Sequence, residues 1–186
     1  MPLEVYARER AQFRARAIAH KKQRTLALGG NVTLVFEDEL TMRYQIQEML
    51  RVERIFEEEA IRAELDAYNP LVPDGDNWKA TMLIEYPEPE ERHAMLKLLK
   101  GIEDRAWVEV AGSARVYAVA DEDMERENAH KTSAVHFLRF ELTRGMKQDF
   151  FSGAALAIGI DHPQYSAQVA VVSPQLRAAL MNDLRR

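Results

Sequence analysis

The chain has 186 residues, a formal net charge of −5 and no cysteine. The lack of cysteine excludes disulfides, thiolate zinc sites, iron–sulfur clusters and a cysteine nucleophile, so any metal must be bound by oxygen and imidazole ligands. The sequence also lacks an apolar run of roughly 18 residues and the apolar region of a signal peptide, which predicts a cytoplasmic protein without a membrane span.

One domain of residues 1–186 is expected from this length, with a change of periodicity inside it. Residues 1–70 predict a helical N-terminal part with two long helices. Residues 78–186 predict a mostly antiparallel sheet of about five strands with helices on one face. The turn sequence LVPDGDN separates the two parts, and the predicted fold class is α+β.

The first predicted helix covers residues 4–28 and carries an apolar stripe that includes Tyr6, Phe13 and Ile18. Residues 1–30 contain seven Lys or Arg against two Glu. This basic helix could bind nucleic acid, but contact with the acidic remainder of the same chain is the interpretation we prefer. A Gly-Gly pair ends the helix, and the sequence NVTLVF that follows predicts a short strand.

Residues 41–69 predict one long amphipathic helix with Asp38 or Thr41 at its N-cap. The proline at position 70 ends this helix, because the residue before a proline is displaced from helical geometry. At about 100° per residue, the apolar side chains fall on one arc, which should be buried. Three glutamates fall in the middle of that arc: Glu53, Glu57 and Glu64.

These three glutamates require compensation, since removing a carboxylate from water is costly. They could pair with arginine or lysine from another segment, or reach water at the edge of the core. They could instead share a hard cation such as iron or manganese, because carboxylates four residues apart lie on one helical face. A third interpretation is a protonated glutamate with a raised pKa in a ligand pocket.

After residue 78 the apolar pattern changes to the alternation of strands. A proline opens a helix at 88–100, Gly112 and Ser113 form a hairpin turn, and Ser173 caps a C-terminal helix. The charged segment 121–133 is predicted as a loop or short helix. The predicted strands are 80–86, 107–111, 114–120, 135–142, 154–160 and 168–172.

Two Glu-x-x-His pairs occur, Glu90 with His93 and Glu127 with His130. Such pairs bind metal in di-iron proteins built from four bundled helices, but only two long helices precede them here. The first pair projects away from the apolar face of its helix, and the second lies among almost no apolar residues. Both pairs are therefore predicted to lie outside a buried metal centre.

Other candidate residues lie late in the chain. His136 shares a strand face with Leu138, which predicts an inward side chain that is either a hydrogen-bonded core residue or a ligand. The sequence DHPQY is predicted as a loop that brings an acid, an imidazole and a phenol together, namely Asp161, His162 and Tyr165. Function collects in such loops, although a simple turn also explains the sequence.

The sequence resembles a family of uncharacterised bacterial and archaeal proteins classed as a domain of unknown function. The resemblance rests on the segments HKKQRTLALG, VTLVFEDELTMRYQIQEMLRVERI, ELDAYNPLVPDG and IDHPQY. Genes of similar proteins often neighbour those of rubrerythrin-like and iron–sulfur redox proteins, so the resemblance implies a role in peroxide or electron-transfer metabolism. It implies no catalytic residue.

The leading hypothesis is an accessory or binding protein of a redox or oxidative-stress system. Its partner would be a protein of that system, and a homo-oligomer is also compatible with the sequence. Its ligand or partner surface is predicted to comprise Arg43, Gln47, Arg54, Asp161, His162 and Tyr165. The alternative is a metal-binding enzyme or metal carrier with iron or manganese at Glu53, Glu57, Glu64 and His136. A weaker alternative is nucleic-acid binding through the basic first helix. The sequence leaves open whether the protein is an enzyme.

Overall fold

The structure is a computed structural model that describes residues 1–124, 126–128 and 130–185. The helices are α1 (Leu3–Gln23), α2 (Glu39–Val52), α3 (Glu58–Tyr68), α4 (Pro89–Leu98), α5 (Arg144–Phe151) and α6 (Pro174–Asn182). The strands are β1 (Thr25–Leu28), β2 (Val32–Phe36), β3 (Asn77–Ile84), β4 (Ala106–Val110), β5 (Val116–Tyr117), β6 (Val119–Ala120), β7 (Val135–Glu141), β8 (Leu156–His162) and β9 (Tyr165–Val169). Short 3-10 helices cover Asn69–Leu71 and Glu103–Arg105. Within the described ranges, no helix has the length and apolar character needed to cross a membrane.

The strands form two antiparallel sheets. The first sheet has five strands in the order β1-β2-β3-β7-β6, and the second has four in the order β5-β4-β8-β9. The apolar faces of both sheets contribute to one hydrophobic core, together with α4, α5 and α6. The α+β class with N-terminal helices is therefore confirmed, while the single sheet of about five strands is replaced by two sheets.

The first helix ends earlier than the sequence predicts. α1 stops at Gln23, and residues 25–28, which we assigned to the helix, form β1. β1 and β2 pair from Thr25 opposite Val35 to Leu28 opposite Val32, and Gly29 in the turn between them has a φ of 72°. Glycine adopts this left-handed conformation without strain, so the Gly-Gly pair closes a hairpin instead of ending a helix.

This hairpin belongs to the same sheet as β3, β7 and β6, since β2 pairs with β3 along its whole length. The N-terminal part is thus not purely helical. The turn at 71–77 connects α3 to β3. The sheet that contains β3 also contains β1 and β2, which precede α2 and α3 in the chain.

The prediction of one continuous helix at 41–69 is wrong, because the chain forms two helices with a break at residues 53–57. Of the two predicted N-caps, Asp38 is the N-cap of α2, and its side chain accepts a hydrogen bond from the Thr41 amide at 2.9 Å. At the other end the Ile55 amide donates to the Leu50 carbonyl at 2.9 Å, and Arg54 has a φ of 56°. This arrangement is a Schellman motif with arginine at the position that glycine usually occupies.

α1 packs against α2 through aromatic and charged side chains. The rings of Tyr6 and Phe13 lie edge to face at 5.7 Å, and Phe13 stacks on Tyr44 at 6.3 Å. Arg10 donates two hydrogen bonds of 2.7 Å to the carboxylate of Glu48. The basic helix therefore contacts a carboxylate of its own chain, in line with the intramolecular contact that we preferred from the sequence.

The segment after the Gly112 turn crosses from one sheet to the other. Val116 and Tyr117 pair with β4 in the second sheet, whereas Val119 and Ala120 pair with β7 in the first. The strand predicted at 114–120 is therefore divided between the sheets. Asp121 follows directly with a φ of 49°, and this unusual backbone turns its side chain toward β7.

α5 has no counterpart among the elements predicted from the sequence.

Candidate functional site

Three buried polar side chains and one half-buried carboxylate meet at the inner face of β7. The buried residues are Glu103, Thr132 and His136 and the half-buried one is Asp121, and we call this group the His136 cluster. Glu103 comes from the 3-10 helix before β4, Asp121 follows β6, and Thr132 precedes β7. His136 is 0% exposed, Thr132 1% and Glu103 7%. The inward orientation predicted for His136 is confirmed.

Asp121 fixes one edge of the imidazole ring. Its Oδ2 lies 2.6 Å from His136 Nδ1, and its Oδ1 accepts from the Phe137 amide at 2.9 Å and from Arg126 at 3.2 Å. Both carboxylate oxygens are thus engaged. A carboxylate can only accept in such a contact, so Nδ1 of His136 carries the hydrogen.

The other ring nitrogen of His136, Nε2, faces three oxygen atoms. Thr132 Oγ1 lies at 2.9 Å, the Ser133 carbonyl oxygen at 3.1 Å and Glu103 Oε2 at 3.8 Å. Thr132 Oγ1 also lies 3.4 Å from Glu103 Oε2. Nitrogen and oxygen atoms of this kind are the ligands that manganese and iron take in proteins.

Glu103 is poorly compensated for its burial. Desolvation raises the pKa of its carboxyl above the ordinary value, and the charge of Glu127 adds to this effect, while its own backbone and His136 oppose it. Glu127 itself accepts from the Gly101 amide at 2.9 Å and lies 3.3 Å from Lys100. A positive charge beside Glu103 would therefore be stabilised.

The Glu-x-x-His pairs behave as expected. Glu90 and His93 are exposed on α4, and His130 is exposed as well. Glu127 is half-buried but binds the loop that follows α4. Neither pair joins its histidine to the His136 cluster.

The predicted burial of the three glutamates is wrong for two of them. Glu53 and Glu57 are exposed in and next to the break between α2 and α3, and Glu64 is half-buried on α3. The break changes the helical phase, so the arc calculated for one continuous helix does not exist. Within the described part of the chain, the carboxylates and imidazoles that lie close enough to share a metal are those of Glu103, Asp121 and His136. The three glutamates are not among them.

The predicted ligand surface on α2 is also dispersed. Arg43 is exposed and pairs with Glu39, and Arg54 is exposed at the helix break. Gln47 is 5% exposed and donates to the Met1 carbonyl at 2.8 Å, so its assignment to a surface is wrong. An amphipathic projection cannot anticipate that the chain terminus covers this position.

Arg43 lines a cleft of about 790 Å³ between α1, the start of α2 and the end of α6. His20 and Asp38 meet there at 2.5 Å, and the fully buried Arg24 contacts both Asp38 and Asp183. Burial raises the pKa of Asp183 to about 6. For Asp38, the effect of burial is outweighed by Arg24, the Thr41 amide and His20, and its pKa is lowered. This network joins the ends of three helices.

The DHPQY sequence forms a tight hairpin turn between β8 and β9, which agrees with the simple turn and not with a functional loop. His162 contacts the Lys100 carbonyl at 3.0 Å, whereas the Tyr165 hydroxyl donates to the Leu28 carbonyl at 2.5 Å. Asp161 accepts from the Tyr117 hydroxyl at 2.6 Å. The three side chains contact different elements and do not form one site.

Two members of the His136 cluster, Glu103 and Thr132, were not predicted from the sequence. Neither lies in a motif, and the sequence around them carries no spacing typical of metal ligands. Asp121 was visible only as the first residue of a charged segment. The long-range pairing of β6 with β7 brings Asp121 to His136, and Thr132 lies four residues before His136 in the chain.

The fold and the site define a class of protein with two antiparallel sheets, N-terminal helices and a buried carboxylate–histidine cluster. The chain belongs to the family described as protein of unknown function (DUF3501), whose model matches residues 1–184. It is similar to a protein of unknown function from Burkholderia pseudomallei whose crystal structure is known, with 56% sequence identity and a TM-score of 0.94. That similarity covers 100% of this chain and 96% of the other. No curated protein shows significant similarity. The resemblance to an uncharacterised family is confirmed.

Proposed function

We propose that the protein binds one divalent transition metal ion, iron or manganese, at the His136 cluster. The observation that carries this proposal is the set of three oxygen atoms around His136 Nε2, from Thr132, Ser133 and Glu103. Each of these atoms has a lone pair for a metal ion.

The distances suit a metal ion after a small adjustment. Ligand atoms about 2.1 Å from an octahedral ion lie about 3 Å from their neighbours. Nε2 of His136 is 2.9 Å from Thr132 Oγ1 and 3.1 Å from the Ser133 carbonyl oxygen. Glu103 Oε2, at 3.8 Å, needs a rotation of its side chain to complete the set.

Asp121 has the role of an orienting residue in this proposal. Histidines that bind metal through one ring nitrogen usually donate the other N–H to a carboxylate or carbonyl. The contact of 2.6 Å between Asp121 and His136 Nδ1 supplies this partner and directs Nε2 toward the three oxygens.

The burial of the cluster favours a binding role over catalysis. A catalytic metal keeps an open coordination position for water or substrate, whereas structural sites are closed. Thr132 and His136 are at most 1% exposed. We therefore infer an accessory protein in which the metal serves structure, storage or electron transfer. The redox context implied by the family resemblance agrees with iron or manganese.

Elemental analysis of protein purified without chelator, and after incubation with Fe²⁺ or Mn²⁺ and desalting, tests the proposal. We expect close to one metal ion per chain in the wild type and a loss of most of it in His136→Ala and Glu103→Gln. His93→Asn and Glu90→Gln are matched controls, since both residues are exposed on α4, and they should retain the metal.

The alternative is a metal-free cluster in which Nε2–H of His136 donates to the Ser133 carbonyl. In that case the wild type retains no metal under any supply, and the proposal fails. Glu57→Ala separates the present site from the one expected on the long helix. Loss of metal in Glu57→Ala with retention in His136→Ala would also contradict the proposal.

A further inference from the structure

Glu37, at the end of β2, is a buried carboxylate with an incomplete set of partners. It is 3% exposed, and its Oε1 accepts from the Thr81 hydroxyl at 2.6 Å. Its Oε2 is buried and has no hydrogen-bond partner, and no basic side chain in the described ranges lies within ion-pair distance. Burying such an atom is costly unless a donor reaches it.

The same glutamate lines a cavity of about 250 Å³ between the first sheet and the N-terminal helices. Polar groups reach it from Lys21 on α1, Gln45 on α2 and Thr81 on β3. The remaining walls are mainly apolar and come from Val35, Met42, Tyr68, Leu83, Val135 and Phe137. Pockets for drug-sized ligands are usually larger, at about 300–1,000 Å³, so this cavity suits a smaller molecule.

The charges of the cavity define the kind of ligand. The free oxygen of Glu37 requires a donor, and an ammonium group satisfies both its charge and its lone pairs. Lys21 is half-buried and forms no ion pair in the part of the chain that the structure describes, so an anionic group on the ligand would find a partner there. The apolar walls suit an aliphatic body.

We propose that this cavity binds a small aliphatic amino acid, with its ammonium group on Glu37, its carboxylate on Lys21 and its side chain on the apolar wall. The site is separate from the His136 cluster. Val135 and Phe137 face the cavity from one side of β7, whereas His136 between them faces the core on the other side.

Isothermal titration calorimetry with L-leucine and L-valine tests the inference. We expect saturable binding to the wild type and an affinity loss of about tenfold or more in both Glu37→Gln and Lys21→Met, since each removes a charged partner. Glu39→Gln and Lys22→Met are matched controls, because both residues are exposed neighbours outside the cavity. The controls should bind as the wild type does.

Two analogues test the wild type without mutation, which matters if Glu37→Gln does not fold. 4-Methylpentanoate lacks the ammonium group of leucine, and 3-methylbutylamine lacks its carboxylate. Both should bind about tenfold more weakly than leucine or worse. Absence of leucine and valine binding, equal binding of 4-methylpentanoate, or unchanged affinity in a folded Glu37→Gln variant would overturn the inference. None of these results depends on metal content.

Discussion

His136 Nδ1 lies 2.6 Å from Asp121 Oδ2, and the same carboxylate accepts from the amide of Phe137, the next residue along β7. The ring of His136 is thereby held in one orientation, with a hydrogen on Nδ1. The opposite nitrogen is directed at a buried group of oxygens. This relationship underlies the proposed metal site.

Asp121→Asn should weaken metal binding without removing a proposed metal ligand. Loss of the partner that orients a metal-binding histidine typically costs about 10–100-fold in metal affinity. Metal affinity measured by competition with a chelator should fall by this amount. Asp149→Asn is the matched control, because Asp149 is exposed on α5. Equal affinities of the two variants would contradict the orienting role.

The contact between α1 and α2 should make stability depend on pH. The paired hydrogen bonds from Arg10, helped by Tyr6, lower the pKa of Glu48 to about 2 from an ordinary value of 4.5. Because the folded-state pKa is lowered, the stabilisation is present above pH 4.5 and is lost as pH falls toward 2.

Chemical denaturation at several pH values checks this dependence. Glu48→Gln should be less stable than the wild type at pH 7, and the difference should shrink as pH falls below about 4.5. Glu39→Gln, on the same helix, should show a much smaller convergence, because the ion pair of Glu39 with Arg43 is exposed to solvent. A constant difference between Glu48→Gln and the wild type across this range would show that the ion pair does not stabilise the fold.

The break between α2 and α3 predicts a stabilising substitution. Arg54 has a φ of 56°, a left-handed conformation that is unfavourable for residues with a Cβ atom. Arg54→Gly should therefore increase the free energy of unfolding by about 1 kcal/mol. Arg51→Gly, one turn earlier inside α2, should decrease it by about the same amount. Destabilisation by both substitutions would mean that the two helices are continuous in solution.

The second sheet contains a glycine, Gly159, whose replacement should destabilise the fold. A Cβ atom at Gly159 on β8 would overlap the ring of Trp107 on β4 and lie 2.9 Å from the Ala167 carbonyl. Gly159→Ala should cost about 1–3 kcal/mol, as other insertions into packed cores do. Gly30→Ala, where nothing lies within 4 Å, is the control and should change stability little. Thermal unfolding of both variants measures the difference.

Local sequence signals predicted much of the fold. The N-cap at Asp38, the helix opened by Pro89 and the C-terminal helix capped by Ser173 depend on neighbouring residues, and all three are present. The error at residues 53–57 has a specific cause. Arg54 occupies the position at the end of α2 where glycine is the usual signal, so the sequence predicts a helix that continues through the break.

The candidate site was predicted only in part because it depends on strand pairing. The alternation of β7 gives the inward position of His136, which is a local property. Its partners come from three other segments, and the pairing of β6 with β7 and the turn at Asp121 bring them close. Glu53 and Glu57 were chosen by a helical projection that ends at the break. No short-range sequence pattern shows which strands pair or where the helix breaks.

Anomalous diffraction from crystals grown with Mn²⁺ tests the central proposal most directly. We expect one anomalous peak about 2.1 Å from Nε2 of His136, with Glu103 rotated to bind the same ion. Asp121 should retain its contact with Nδ1. Well-ordered density for the cluster with no anomalous peak, and with Nε2 hydrogen-bonded to the Ser133 carbonyl, would contradict it.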